Sequence, residues 1–210
     1  GGRPGVVLGY VRDGESVFLA YGRTGNPASS AIGPDTVFEL GSVTKLFTAE
    51  TLAGLAVQGE VSPDTPLAAI WPDRLAANPV TLAQLATHRA GLPRQVPGEV
   101  LSANDANALI EFARSAAPSE APAYSNTGVA LLALALSEAT GRSVAGNLAI
   151  AVTGPFGLTD TGYEPGQPER LVHAGVAEAG EPVRVKRRVQ DATEGLCAYR
   201  GDEGWHTCRH

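Results

Sequence analysis

The chain has 210 residues, 43% hydrophobic and 18% charged, a composition typical of a globular protein rather than a disordered one. Its net charge of −6 argues against a nucleic-acid partner, because phosphate binding needs concentrated Lys and Arg. No apolar run reaches the roughly 18 residues of a membrane span. The chain begins with Gly-Gly rather than Met and shows no signal peptide, so we expect a mature form or a fragment.

Two β-type runs open the chain, over residues 5–13 and 15–22, and they meet at Asp13-Gly14. Asp-Gly between such runs is a strong hairpin signal, because both turn positions favour a positive φ. A lone hairpin is only marginally stable in water, so we expect this one to pair or pack with another element.

A helix-forming run begins near Ser42 and continues to about Gln58. Ser42 and Lys45, three residues apart in its first turn, lie on one helix face. A serine becomes nucleophilic when a base takes its proton, and an unprotonated lysine amine is such a base. A helix N-terminus favours both a developing oxyanion and an uncharged amine. Taken alone, the pair is more often an N-capping serine and a solvated lysine.

Capping patterns predict four helices in the middle of the chain. They run from Thr81 to His88, with Gln84 completing a capping box, from Ser102 to about Arg114, from Val129 to Thr140, and from Ser143 to Gly154. Residues 124–128 are predicted to be a loop, and the helix that follows is apolar on most sides, so we expect it to be buried.

Tyr124 and Asn126 lie in this predicted loop. A phenol near cations can accept and return a proton, and an asparagine offers both a donor and an acceptor to a substrate amide. On their own, these residues are equally consistent with a buried tyrosine and an ordinary loop asparagine.

The last third of the chain carries weaker patterns. The basic cluster of residues 184–188 is interpreted as a solvated edge rather than a nucleic-acid site. Cys197 and Cys208 could form a disulfide or remain thiols. Together with His206 and His210 they lack the usual spacing of zinc ligands, so no metal site is predicted.

Four stretches, in this order, resemble the serine β-lactamase and DD-peptidase superfamily, and specifically its class C-like branch with related esterases. They are FELGSVTK (residues 38–45), TLAQLATHRAGLP (81–93), YSNTGVALL (124–132) and GPFGLTDT (154–161). The resemblance covers about residues 4–176. It implies an α+β fold, in which an antiparallel sheet built from both chain ends is flanked by helices, with an all-helical region at about 60–160.

The resemblance also implies a function. The chain would be a serine hydrolase that forms an acyl-enzyme on Ser42 and acts on a β-lactam, a D-alanyl peptide or a small ester. Lys45 and Tyr124 would share the proton transfer, and Asn126 would orient the substrate amide. The backbone N–H of Ser42 would be one oxyanion donor, and His88 would be structural rather than catalytic.

The resemblance implies no cofactor and a small-molecule or peptidoglycan-peptide substrate, and it leaves the oligomeric state open. It favours a periplasmic or secreted protein, or a cytoplasmic one if the chain is closer to the esterases. We predict a single domain over residues 1–198, followed by an irregular tail over 199–210.

The family's third motif, a Lys-Thr-Gly or His-Thr-Gly triplet on a late strand, has no clear counterpart. The nearest candidate, Trp205-His206-Thr207-Cys208, has Cys where Gly lets the backbone approach the substrate. We therefore expect the chain to be truncated before the C-terminal strands, or to read out of frame from about Tyr199, which would expose the apolar face of the N-terminal hairpin. The alternative to a hydrolase is an impaired remnant or a β-lactam- or peptide-binding module without turnover.

Overall fold

The computed structural model describes residues 5–23, 32–33, 36–38, 40–97, 106–158, 161–163, 198–201 and 204–207. These residues form the predicted α+β fold, with antiparallel hairpins and seven α-helices. The chain forms two compact units, one of residues 1–44 with 152–210 and one of residues 45–151. No helix in the described part of the chain is both long and apolar enough to cross a membrane.

The predicted N-terminal hairpin is confirmed. Strand β1 (Val6–Arg12) pairs antiparallel with β2 (Glu15–Tyr21). Asp13 and Gly14 make the turn with φ of 52° and 83°. Two successive positive φ values match the right-handed twist of the flanking strands, which is why Asp-Gly suits this position.

One face of this hairpin is apolar and exposed to solvent. Paired positions on that face include Leu8 with Leu19, which are 62% and 65% exposed. The other members of the face are also exposed, namely Val6, Tyr10, Val17 and Tyr21. The single sheet expected from both chain ends is not seen in the described residues, where β1–β2 is a sheet of two strands only.

A second hairpin lies where the sequence analysis expected an irregular tail. Strand β3 (Ala198–Gly201) pairs antiparallel with β4 (Gly204–Thr207). The expectation of an irregular 199–210 is therefore wrong for these strands. Four-residue strands are too short to show a clear period of two, which explains the missed prediction. The β3 backbone lies within 8 Å, Cα to Cα, of the turn that carries Ser42.

The helix predicted from Ser42 is confirmed. A 3-10 turn (Gly41–Val43) leads directly into α1 (Thr44–Val57). On α1, Leu52 and Leu55 are buried, whereas Gly54 faces Ala151 so closely that an added Cβ would lie 2.6 Å from the Ala151 carbonyl oxygen. The helix therefore needs a glycine at this point of its packed face.

The remaining helices form the predicted helical region. They are α2 (Leu67–Ile70), α3 (Pro72–Leu75), α4 (Leu82–Ala86), α5 (Ala106–Phe112), α6 (Asn126–Thr140) and α7 (Val144–Leu148). Helix α6 is buried, as predicted, and contacts α2, α4, α5 and α7. Its Leu131 and Leu132 are fully buried, as are Leu82 and Leu85 of α4. This shared leucine core fixes the two segments that lead into the site.

The helix ends follow the predicted caps with three corrections. The segment predicted as one helix from Ser143 to Gly154 is α7 only as far as Leu148 and continues as a π-helical turn (Ala149–Thr153). The Thr81–Gln84 capping box is present, but α4 ends at Ala86 and His88 adopts a left-handed φ of 60°. Helix α6 begins at Asn126 rather than Val129, because the Ser125 hydroxyl accepts a hydrogen bond from the Gly128 N–H at 2.9 Å. The Ser143 cap of α7 is confirmed, and the Ser102 cap lies outside the described residues.

Candidate active site

Ser42 lies on the exposed 3-10 turn immediately before α1. The turn begins with Gly41 in a left-handed conformation, φ 48°, and ends where the Thr44 N–H donates to the carbonyls of Gly41 and Ser42. A serine at this place stands at the positive end of a helix of 14 residues. The local fold therefore places Ser42 near a helix N-terminus, where negative charge is favoured.

Lys45 and Tyr124 come together although they belong to different motifs. The Lys45 Nζ lies 5.1 Å from the centroid of the Tyr124 ring, within the range of a cation–π interaction. Lys45 projects from the first turn of α1, and Tyr124 lies two residues before the start of α6. The tertiary structure thus brings together two of the site residues that the sequence predicted, Lys45 and Tyr124.

A second cation, Arg94, also faces the Tyr124 ring. Its guanidinium carbon lies 5.0 Å from the ring centroid. Tyr124 is 41% exposed. Two cations near one partly exposed phenol create a local positive potential. Arg94 was not among the predicted site residues, and its sequence position gives no sign of this contact.

His88 contacts the same tyrosine, with ring centroids 4.8 Å apart and ring planes at 37°. Its Nδ1 accepts a hydrogen bond from the Ser125 N–H at 3.1 Å. Burial lowers the pKa of His88, and the charge of Lys45 lowers that pKa further. The sequence analysis expected a structural histidine at a helix end, and that role stays a prediction. The structure places His88 two residues beyond the end of α4, against Tyr124.

Asn126 is the first residue of α6 and is held by the segment that contains Arg94. Its Nδ2 donates to Gln95 Oε1 at 2.5 Å, and its backbone N–H donates to the Arg94 carbonyl at 2.9 Å. Ser125 is 2% exposed, and its hydroxyl donates to the Pro93 carbonyl at 2.6 Å. Side-chain and backbone hydrogen bonds therefore connect residues 93–95 with residues 124–126.

The comparison with known proteins decides the family. The beta-lactamase family model matches residues 1–208 of the chain. The chain belongs to the beta-lactamase family. The predicted membership of the serine β-lactamase and DD-peptidase superfamily is thereby confirmed.

Relatives of this beta-lactamase family chain include both β-lactamases and a peptidase. The D-alanyl-D-alanine-carboxypeptidase/endopeptidase AmpH of Escherichia coli K12 is 33% identical over 195 residues, which are 85% of this chain and 50% of the relative. A beta-lactamase of the same organism is 30% identical over 196 residues, covering 90% and 51%. The chain thus spans about half the length of these curated relatives.

Solved structures support the same membership. The class C beta lactamase from Rhodobacter sphaeroides matches with a TM-score of 0.74 and 29% identity, over 98% of this chain and 57% of that one. The beta-lactamase from Sulfitobacter sp. EE-36 also gives 0.74, with 30% identity, over 98% and 56%. The predicted class C-like branch and α+β fold are therefore confirmed.

Several sequence-predicted features fall outside what the structure describes. Cys197, Cys208, His210 and the basic cluster of residues 184–188 are among them. Within the described ranges, no group of three or more His, Cys, Asp or Glu side chains is placed to hold a metal ion. The roles assigned to Ser42, Lys45, Tyr124 and Asn126 stay predictions and are taken up below.

Proposed function

We propose that this beta-lactamase family chain is a serine hydrolase that forms an acyl-enzyme on Ser42. The observation that carries the proposal is the contact of Lys45 Nζ with the Tyr124 ring at 5.1 Å. It joins two motifs that are distant in sequence, and Lys45 follows Ser42 by three residues in the chain. An N-capping serine with an unrelated solvated lysine gives no reason for that contact.

In the proposed reaction, the Ser42 Oγ attacks the carbonyl carbon of the substrate and gives its proton to Lys45 or Tyr124. The same proton then goes to the departing nitrogen or oxygen, and the acyl group remains on Ser42. The backbone N–H of Ser42 would donate to the oxyanion, with the N-terminus of α1 adding to its stabilisation. Water would release the acyl group in a second step.

Tyr124 would serve the proton transfer in this reaction, and Asn126 would bind the substrate amide. The positive potential of Lys45 and Arg94 would stabilise a Tyr124 phenolate while the proton is in transit. Asn126 Oδ1 would accept the N–H of the substrate amide, because Gln95 already holds the Nδ2 of that side chain. Gln95 would then set the orientation of the Asn126 amide.

The substrate class follows from the relatives and the chemistry together. A relative at 33% identity is named a D-alanyl-D-alanine-carboxypeptidase/endopeptidase and one at 30% a beta-lactamase. We propose a β-lactam, a D-alanyl peptide or a small ester as the substrate of this chain. All three present a carbonyl with a leaving group that needs a proton, which Lys45 and Tyr124 would supply.

A second candidate is a binding module or an impaired remnant without turnover. It is favoured by Trp205-His206-Thr207-Cys208, the nearest counterpart of the third motif, which has Cys in place of Gly. Removal of one oxyanion donor alone costs on the order of 10²–10³ in rate. A chain with only one such donor could bind or be acylated without releasing product.

Intact-protein mass spectrometry after incubation with a penicillin, and separately with an activated ester, tests the proposal. We expect a mass increment in the wild-type chain and in Ser115→Ala, a control serine on another exposed 3-10 turn, but not in Ser42→Ala. An increment in Ser42→Ala would exclude Ser42 as the nucleophile. A persistent increment, or binding without one in a folded chain, would favour the second candidate.

A further inference from the structure

The backbone on both sides of Tyr124 is attached to one residue, His88. The Ala123 N–H donates to the His88 carbonyl at 2.8 Å, and the Ser125 N–H donates to His88 Nδ1 at 3.1 Å. The imidazole also lies against the Tyr124 ring, at 4.8 Å between centroids. His88 therefore binds the backbone N–H groups of both neighbours of Tyr124 and also contacts its side chain.

Among residues 88–90, His88 is the one whose side chain as well as backbone binds the stretch around Tyr124. The next two residues bind the stretch before Tyr124 through backbone alone. The Arg89 carbonyl accepts from the Ser119 N–H, and the Ala90 carbonyl accepts from the Ala117 N–H. Those bonds hold the two segments together without any imidazole. What the imidazole adds is the capture of the Ser125 N–H and the packing against Tyr124.

The backbone of His88 is also held in an uncommon conformation. Its φ of 60° is one of two positive values among the described non-glycine residues, the other being at the Asp13 hairpin turn. Positive φ is disfavoured for a residue with a Cβ and persists only where the surroundings enforce it. The positive φ of Asp13 is explained by the hairpin turn. The positive φ of His88 instead directs its carbonyl and its ring to the N–H groups of Ala123 and Ser125.

We propose that His88 is a positioning residue that holds Tyr124 for proton transfer by binding the amides of Ala123 and Ser125 and packing on the phenol ring. The inference rests on the proposed function, in which Tyr124 shuttles the proton. It assigns His88 no proton transfer of its own. Its Nδ1 must carry no proton, because a protonated nitrogen cannot accept the Ser125 N–H.

The charges around His88 are consistent with a neutral ring. Lys45 of α1 approaches the same tyrosine, as does Arg94 of the 93–95 segment, and Arg89 is the next residue in the chain. Burial and the charge of Lys45 lower the pKa of His88. Acidification through that lowered pKa should therefore release Ser125 and loosen Tyr124.

Two substitutions separate the acceptor from the ring. In His88→Asn, Oδ1 can take the place of Nδ1, and asparagine tolerates a positive φ. In His88→Phe, the aromatic ring is kept and the acceptor is lost. Arg89→Ala is the matched control, because the exposed Arg89 contributes its backbone carbonyl rather than its side chain. Two readouts are needed, the hydrogen exchange of the Ser125 amide by NMR and the acylation rate of Ser42 with a penicillin.

We expect His88→Phe to lose the exchange protection of Ser125 and to slow acylation on the order of 10- to 100-fold, since small displacements of a catalytic group have effects of that size. His88→Asn should recover the protection and most of the rate, and Arg89→Ala should change neither. Unchanged protection in His88→Phe, or unchanged acylation despite lost protection, would overturn the proposal.

The Ser125 readout does not depend on activity. If the wild-type chain is never acylated, the proposed function fails, whereas the attachment of His88 to Ser125 is still tested by hydrogen exchange. If His88→Phe does not fold, a pH titration of the wild-type chain replaces it. The Ser125 amide resonance should then follow the titration of the His88 ring, and a Ser125 signal independent of that titration would overturn the attachment.

Discussion

Lys45 is the residue whose side chain approaches Tyr124 from α1, at 5.1 Å from Nζ to the ring centroid. Its charge alone could hold the phenolate, or its amine could take the Ser42 proton directly. The two roles differ in what an arginine can replace. Arginine keeps the positive charge but does not give up a proton at any ordinary pH.

Lys45→Ala and Lys45→Arg are therefore both expected to slow acylation of Ser42, by about 10²–10⁴ if the amine is the general base. The measurement is the growth of the acyl-enzyme mass with time under a penicillin. A near-normal rate in Lys45→Arg would limit Lys45 to an electrostatic role and make Tyr124 the base. A near-normal rate in Lys45→Ala would show that Lys45 is not needed and that Tyr124 alone is the general base.

His88 gives a pH dependence of stability whose sign follows from its lowered pKa. In the window between the lowered folded pKa and the unfolded value of about 6.5, the unfolded chain binds more protons, so stability rises with pH. The contribution is complete above the unfolded value and is lost as the pH falls through the folded one. We expect His88→Asn to flatten this loss, measured by urea unfolding at about pH 7.5 and about pH 5. An equal loss in both chains would exclude His88 as its source.

At the scale of elements, Ser125 joins the start of α6 to the segment that carries Arg94. Its hydroxyl accepts from the Gly128 N–H and donates to the Pro93 carbonyl. Ser143 caps α7 in the same way through the Gly146 N–H, but it is exposed. The two serines differ in what else they hold, which makes them a matched pair.

Ser125→Ala and Ser143→Ala should each lower the free energy of unfolding by about 1–2 kcal/mol through the lost cap. Only Ser125→Ala should also slow acylation, because it releases the segment on which Tyr124 and Asn126 depend. Denaturant unfolding and acylation rates measure the two effects. Equal acylation rates in the two variants would show that the cap does not position the site.

Asn78 links the turn before α4 to the end of α5. Its Nδ2 donates to the carbonyls of Ala113 and Ala116, and its Oδ1 accepts from the Val80 N–H. The side chain is 8% exposed, so these partners have little access to water.

We expect Asn78→Ala to cost about 2–3 kcal/mol in urea unfolding, because buried partners are left unpaired. Asn78→Asp preserves the shape but places an acceptor against two carbonyls, and it should cost at least as much. Full stability in Asn78→Asp would contradict the hydrogen-bond assignment and indicate that only the volume of the side chain matters.

At the scale of the whole molecule, the exposed apolar face of the N-terminal hairpin is a surface prone to self-association. Leu8 and Leu19 are directly paired at its centre, and both are more than half exposed. An apolar hairpin face of this kind favours association with other chains. Phe18, on the opposite face and half-buried, provides an internal comparison.

The double variant Leu8→Lys, Leu19→Glu should reduce self-association, seen in light scattering, without loss of secondary structure, because the opposite charges face each other across the strands. Phe18→Lys should instead destabilise the hairpin by burying a charge. Unfolding of the double variant would show that the outer face is covered in solution, which would contradict the exposure described for it.

Local signals in the sequence determined much of this protein. Asp13-Gly14 specified a hairpin turn, Thr81 with Gln84 specified the start of α4, and the helix-forming run after Ser42 specified α1. Each depends on backbone dihedrals or hydrogen bonds between residues at most a few positions apart. The family resemblance likewise rested on short motifs in order, and the family assignment is confirmed.

Tertiary structure alone decided what surrounds Tyr124. His88 and Arg94 reach its ring from another segment, and Ser125 starts α6 three residues earlier than the sequence suggested. These contacts form because the buried leucines of α4 and α6 bring distant segments together, and hydrophobic packing is non-directional. The packed arrangement decides which polar groups then come into contact, so local sequence patterns do not predict these contacts.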